Sequence, residues 1–285
     1  MQERLGMALT INTNLSSMIV QKNLNSATTG LNSAIEKMTT GYRINHAKDD
    51  AAGYSIATSW ATKISSLDVA SENASMGLDL LKTSEENYSL ITEHLQRVRD
   101  LTEQAANGTY GDDSKAAIKA EITARLLEID RISANAEFNG IPLMNGTGTA
   151  KNLQVGIDNT ANSKITLEAG LFAAADTAKL LGKVAAAYAE DCITTSSDQL
   201  EKIDAAISNV STRVTTIGAV QNRVESAISA ISVQSENLTS SLSTIKDADV
   251  AEESSNYIKA QILQQASATL LATANQLPSI ALNLI

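Results

Sequence analysis

Apolar residues step by three and four through almost all of residues 200–245. Leu200, Ile203, Ile207, Val210, Val214 and Ile217 open the series. It passes through Gln221, resumes at Val224, Ile228 and Ile231, passes Ser235, and closes at Leu238, Leu242 and Ile245. That spacing predicts a helix with one narrow apolar stripe. No Pro interrupts the run, and only Gly218 weakens it. At about 1.5 Å per residue the helix would be roughly 70 Å long. A rod of that length has no compact core of its own and needs helical partners along its stripe.

The same period recurs upstream. Ile64, Leu67, Ala74, Leu78, Leu81, Tyr88, Leu95 and Val98 predict a second long helix over about 54–107. Ile118, Ile122, Leu126, Ile129 and Ile132 predict a third over about 115–134, with Asp113 or Ser114 as its N-cap. Leu24, Leu31, Ile35 and Met38 predict a helix over 23–40 that Gly41 ends, and 41–53 reads as a charged connector. From Phe138 the pattern changes. Asn139-Gly140, Pro142 and Asn145-Gly146 punctuate the chain. Leu153, Val155 and Ile157 then alternate, as do Ile165 and Leu167, which predicts a small β-hairpin over about 152–168. Residues 170–195 are Ala-rich and fit no single element.

The fold expected is therefore mainly α: long antiparallel coiled-coil-like rods with a small β-hairpin tip, and N- and C-terminal helices paired at one end. Residues 1–46 and 247–285 would supply those terminal helices. Residues 47–168 and 198–246 would supply the rods, and 169–197 a short variable outer segment.

The two ends stand apart in charge. Neither 5–21 nor 260–285 holds a charged side chain, in a chain of net charge -10. Solvated tails are ordinarily charged. Leu9, Ile11, Leu15 and Ile19 at one end, and Leu263, Leu270, Leu277, Ile280 and Leu284 at the other, could close on each other within one chain. The reading adopted is that they pack between subunits, since amide-rich apolar faces suit surfaces that are soluble first and assembled later.

Composition narrows the function classes. Aromatic residues make up only 3% of the chain, poor material for a thick core and adequate for thin helix–helix seams. The acidic balance offers no basic stripe for nucleic acid. The single Cys192 excludes an intrachain disulfide and a cysteine metal cluster. No secretory signal is read at the start, and the four Gln and two Asn of 260–285 argue against membrane insertion there. His46 beside Asp49 and Asp50 reads as a solvated or ion-paired turn rather than a metal site. No His-Glu-x-x-His, Gly-x-Gly-x-x-Gly, phosphate loop or Gly-x-Ser-x-Gly occurs. No catalytic residue, metal or cofactor is expected.

Both arms of the chain resemble bacterial flagellin, over roughly 8–168 and 198–285. The N-terminal matches are Ile11-Asn12-Thr13-Asn14, the Ala-Lys-Asp-Asp-Ala-Ala-Gly core within 41–53, Leu95 to Leu101, Ala120 to Thr123 and Glu128 to Arg131. The C-terminal ones are Gly218 to Arg223, Ala260 to Gln265 and Ala274 to Pro278. Met7-Ala8 is similar to the usual family start, and Met1 to Gly6 have no family counterpart.

The resemblance implies a secreted, extracellular subunit that polymerises into the helical filament of the bacterial flagellum for motility. Its terminal helices would line the inner tube. It implies type III export, a secretion chaperone on the C-terminal helix, and contacts with filament cap and junction proteins. It also implies recognition by the Toll-like receptor that senses flagellin. Carried over by position, the candidate receptor contacts are Gln96, Arg97, Asp100, Leu101, Gln104 and Glu121, with Asp100 standing where the family often has Glu. The alternative within the same flagellar class is a hook–filament junction protein. A flagellin-like scaffold carrying a peptidase insert has no metal-ligand spacing and no long middle to support it.

Overall fold

The computed structural model describes residues 13–146 and 149–282, with side chains placed to residue 276 at the C-terminal end. In chain order the elements are α1 (Leu15–Thr40), α2 (Ala51–Ala106), α3 (Asp112–Asn135), β1 (Glu137–Phe138), β2 (Ile141–Pro142), β3 (Lys151–Gln154), β4 (Lys164–Leu167), α4 (Thr177–Leu180), α5 (Ala185–Thr194), α6 (Ser196–Lys246) and α7 (Val250–Leu282). Short 3-10 turns at Ala161–Ser163 and Ala169–Phe172 flank β4. Two compact units result. One joins 13–62 to 238–282, and the other is 63–237.

The unit 63–237 is a helical bundle with a dense core. From α2 it takes Leu67, Leu81, Tyr88, Leu95 and Val98, and from α3 Ile122, Leu126 and Ile129. From α6 it takes Ile203, Val210, Ile217 and Val224, and every one of these side chains is 0–1% exposed. Three contacts fix α2 and α6 as antiparallel: Gln221 Nε2 donates to Glu85 at 2.8 Å, Arg213 Nη1 to the Tyr88 hydroxyl at 3.3 Å, and Arg99 Nε to Asp204 at 2.6 Å. The predicted stripe of α6 is thus a real seam, and its interruption at Gln221 is filled by a bond to a carboxylate. Arg213 also donates to the carbonyls of Ala173 and Ala174, and the Tyr88 hydroxyl donates to that of Leu171, so one cation ties the middle segment to both long helices.

That middle segment, expected as a short variable outer segment over 169–197, packs into the bundle within the single chain. Leu171, Phe172, Ala175, Leu181, Ala185, Tyr188, Ala189 and Cys192 are all buried, and α5 packs on α3 as a further bundle helix. The Asp130 carboxylate accepts the N–H and hydroxyl of Thr177 at 2.8 and 2.9 Å, and Lys119 pairs with Glu190. The Tyr188 hydroxyl donates to the Gln199 carbonyl at 3.0 Å.

Two hairpins complete the unit. β3 and β4 pair antiparallel, Lys151 opposite Leu167 and Gln154 opposite Lys164, within the predicted range. Leu153 of β3 lies against Gly77 of α2, where a Cβ would overlap its side chain. The second hairpin, β1–β2, turns on Asn139 (φ 48°) and Gly140 (φ 74°), both left-handed as a two-residue turn of this hand requires. The sequence showed that pair only as punctuation. The cap of α3 also differs from expectation. Its N-cap is Gly111 with no side-chain bond, and Asp112 and Asp113 sit in the first turn against the helix dipole instead.

In the unit of 13–62 and 238–282, α1 and α7 run antiparallel. Asn14 Nδ2 donates to the Ala274 carbonyl at 2.7 Å, Gln264 to Thr28 at 3.2 Å, and Lys37 meets Glu253 at 3.0 Å. Gly41, at φ 74°, caps α1 as expected. Tyr42 then forms a bridge with Asp247, and the Lys246 ammonium lies 4.0 Å from the Tyr42 ring centroid. In the charged connector His46 meets Glu36 at 2.7 Å. The Asp49 carboxylate accepts the amides of Asn45 and His46, and Asp50 caps the first turn of α2 through Ala52 and Gly53. His46 therefore meets a neighbouring carboxylate, and Asp49 and Asp50 cap turns. No group of three His, Cys, Asp or Glu suited to a metal exists among the described residues.

Candidate assembly and recognition surfaces

The pairing of α1 with α7 is made by small residues. Ala27 and Ala34 of α1 are buried, and so are Glu253, Ala260, Ser267 and Ala274 of α7, the latter set at strict seven-residue intervals. Gly30 lies between the two alanines of α1, and a Cβ there would rest 3.9 Å from that of Ala260. Small side chains let two backbones approach closely but bury little apolar area. Leu24, Leu31 and Leu271 are half-buried, and other large apolar side chains face out: Leu15 is 66% exposed, Ile19 53%, Leu263 48% and Leu270 56%. Met18, Ile258 and Ile262 are exposed as well.

Leu15, Ile19, Leu263 and Leu270 are among the terminal side chains read as assembly residues, and each stands largely exposed in the single chain. Leu9, Ile11 and Leu284 lie outside the described residues, and Leu277 and Ile280 fall where no side chain is described. What sequence reasoning missed is the small-residue seam itself. The seven-residue spacing of Ala260, Ser267 and Ala274 was the available signal, hidden by the larger leucines between them.

A groove of about 670 Å³ runs between the two helices, lined by Ser26, Gly30 and Ser33 on one side and by Asn256, Leu263 and Leu270 on the other. Its floor is the small-residue seam, and its wall carries two of the exposed leucines. Lys37, Glu253 and Lys259 also line the groove.

The candidate receptor face lies on α2 and α3 in the other unit. Arg97 Nε donates to Glu121 Oε1 at 2.9 Å, and Arg125 reaches the same oxygen at 3.7 Å. The Arg97 hydrogen bond holds the Glu121 carboxyl below its ordinary range, with the charges of Arg97 and Arg125 acting in the same direction. Gln104 Nε2 donates to the Tyr110 hydroxyl at 2.9 Å. Gln96 and Asp100 are exposed on the same helix. The structure thus joins Arg97 to Glu121 and leaves Gln96, Asp100 and Gln104 at the surface. Leu101 is different. It is 2% exposed and belongs to the bundle core, so it supports the face from below and offers no surface to a partner.

No helix among the described residues is long and apolar enough to cross a membrane. Paired terminal helices with outward leucines, joined in sequence to a seam-bearing bundle, define a class: subunits of helical protein fibres. Comparison with known proteins gives the family. Residues 11–149 match the bacterial flagellin N-terminal helical region, and 200–285 match the C-terminal helical region. A flagellin of Listeria monocytogenes is 34% identical over 283 residues, covering 96% of this chain and 99% of that one. A flagellin of Bacillus subtilis is 36% identical over 303 residues, with 96% and 99% covered. The structure of a flagellar hook-associated protein from Vibrio parahaemolyticus matches 70% of this chain and 100% of that one, with a TM-score of 0.59 at 16% identity, a likeness of fold. The chain belongs to the bacterial flagellin family. It is a structural protein of the extracellular flagellar filament and not an enzyme.

Proposed function

We propose that this chain builds the filament through the outward apolar faces of α1 and α7, each copy completing the burial that its neighbour lacks. The observation that carries this is the division of roles in the terminal pair: Ala27, Ala34, Ala260 and Ala274 inside, Leu15, Ile19, Ile258, Ile262, Leu263 and Leu270 outside. Fully burying a Leu or Ile side chain contributes about 1.5–3 kcal/mol, so Leu15, Ile19, Leu263 and Leu270 together hold most of a subunit contact in reserve. A copy that repeats by a non-closing heterologous contact gives a helical fibre. Purified chain is expected to assemble into filaments, and chain lacking 260–285 to stay monomeric in sedimentation. Filaments from the shortened chain would overturn this reading.

The same exposure supports a secretion chaperone covering α7 before export, and cap and junction proteins with matching ends, as further proposed partners. Residues Gln96, Arg97, Asp100, Gln104 and Glu121 form the proposed contact for the Toll-like receptor, with Leu101 acting only through packing. Arg97→Ala is expected to reduce signalling in receptor-bearing cells by about tenfold, the effect of losing one charge-assisted bond. Unchanged signalling would remove this face from the proposal.

The likeness to a flagellar hook-associated protein of Vibrio is one of fold alone, so architecture does not separate the filament subunit from a hook–filament junction protein. The flagellins of Listeria and Bacillus match along nearly their whole lengths, which favours the filament subunit. Negative-stain micrographs of the pure chain separate the two, since a junction protein forms no long filaments alone.

A further inference from the structure

The unit 63–237 keeps one apolar ridge uncovered. On α2, Val69 is 53% exposed and Met76 56%, one heptad apart. The reason is the length of α3. Arg97 meets Glu121 on antiparallel neighbours, so the last residue of α3, Asn135, comes level with about residue 83 of α2. Residues 64–81 of α2 lie beyond that end. The two hairpins flank the ridge without roofing it. Ile157 and Asn159 border a groove of about 390 Å³ beside Val69, and Phe138 borders a second groove beside Met76. The ridge is also wholly acidic. Asp68, Glu72 and Asp79 are exposed along it, and 64–81 contain no Lys or Arg.

We infer that this ridge is covered by the outer face of α3 from a second copy of the chain, an inference that rests on the filament reading above. Two observations choose that occupant. Pairing of the ridge with itself would set three carboxylates against three, a like-charge contact that costs affinity. The outer face of α3, in contrast, presents Leu127, 55% exposed, one turn from Arg131 on the same side of the helix. Arg131 spends part of its fork on Glu128 and retains N–H groups for a further acceptor. Leu127 then enters beside Met76, and Arg131 reaches Asp79 or Glu72. Ridge and cover are different patches on one chain, so the contact is head-to-tail and propagates without closing.

The test is cross-linking in assembled filaments. Chains carrying Met76→Cys and chains carrying Leu127→Cys are copolymerised, treated with a short bismaleimide and run on a denaturing gel. The native Cys192 is buried and is controlled by each single variant alone. A covalent dimer confined to the mixed filament is expected, and a ladder from the double variant. Filaments that form without the mixed dimer would overturn the contact while leaving the filament reading intact. Failure of the unmodified chain to form filaments would instead sink that reading. Asp79→Arg is expected to raise the critical concentration about threefold, and Arg131→Glu in the same chain to restore it. An equal penalty with no restoration would overturn the charge pairing.

Discussion

The two units of this chain use one heptad grammar to opposite ends. In 63–237 the a and d positions hold Leu81, Leu95, Leu126 and Ile217, and these are inside. In the α1–α7 pair the buried positions include Ala27, Ala34, Ala260 and Ala274, while Leu15, Leu263 and Leu270 are outside. The first arrangement stores its burial free energy in the single chain. The second leaves these large side chains outside the single chain, where the proposed filament contact would bury them, and holds its two helices together mostly through small residues. The difference teaches that apolar content does not tell a core from an interface; what tells them apart is which size class occupies the seam.

The largest effect should come from swapping matched truncations across the two units. Leu95→Ala removes a fully buried side chain and is expected to destabilise the 63–237 bundle by about 3 kcal/mol in urea unfolding of the monomer. Leu270→Ala, at a side chain 56% exposed, should change monomer stability by about 0.5 kcal/mol or less while impairing filament growth. Equal monomer losses in the two variants would break the comparison.

Next in size is the tie at Arg213. Its Nη1 serves the Tyr88 hydroxyl and the carbonyls of Ala173 and Ala174. Arg213→Met keeps the aliphatic stem and strands those acceptors, at an expected cost of about 2 kcal/mol. Unfolding of the bundle with an unchanged midpoint would show that the middle segment stands without it.

How much of this was legible follows from residue size. The stripe from Leu200 to Ile245 announced α6 because large β-branched and γ-branched side chains recur at fixed spacing, and α3 and the β3–β4 hairpin were equally plain. The segment 170–195 was not, because alanine is at home on any surface. Only packing shows that Ala185 and Ala189 are inside and that Tyr188 and Cys192 anchor α5. At the termini the leucines are the conspicuous feature, and the alanine seam beneath them shows only as a seven-residue spacing that the larger side chains hide. Leu101 failed as a surface candidate for a related reason: a motif carried over by position marks where a residue stands, whereas the heptad decides which way it points.

Alkaline pH probes the first unit through its buried acids. Burial raises the Tyr188 phenol, the Tyr88 phenol against the opposing pull of Arg213, and the Cys192 thiol. A raised value in the folded state favours the neutral form. The resulting stability is complete below the unfolded values, about 8.5 for thiol and 10 for phenol, and is lost as pH climbs past them. The unfolding midpoint of the bundle should therefore fall from about pH 9 upward. A flat midpoint to pH 11 would mean that these groups are more solvated than the packing indicates.

The finest discrimination uses two glycines in helix interiors. Gly77 of α2 faces Leu153, whose side chain would have to move for any Cβ, so Gly77→Ala should destabilise the bundle by about 1–2 kcal/mol. Gly30 of α1 faces Ala260 with 3.9 Å to spare for a Cβ, an ordinary contact. Gly30→Ala should therefore gain helix propensity, about 0.5–1 kcal/mol, and raise the helicity of the monomer seen by circular dichroism. The two substitutions are chemically identical and differ only in what meets the added methyl. A loss of helicity at Gly30 would mean that the α1–α7 seam is already as tight as the bundle core, and that its alanines are there to fill space rather than to bring two backbones close.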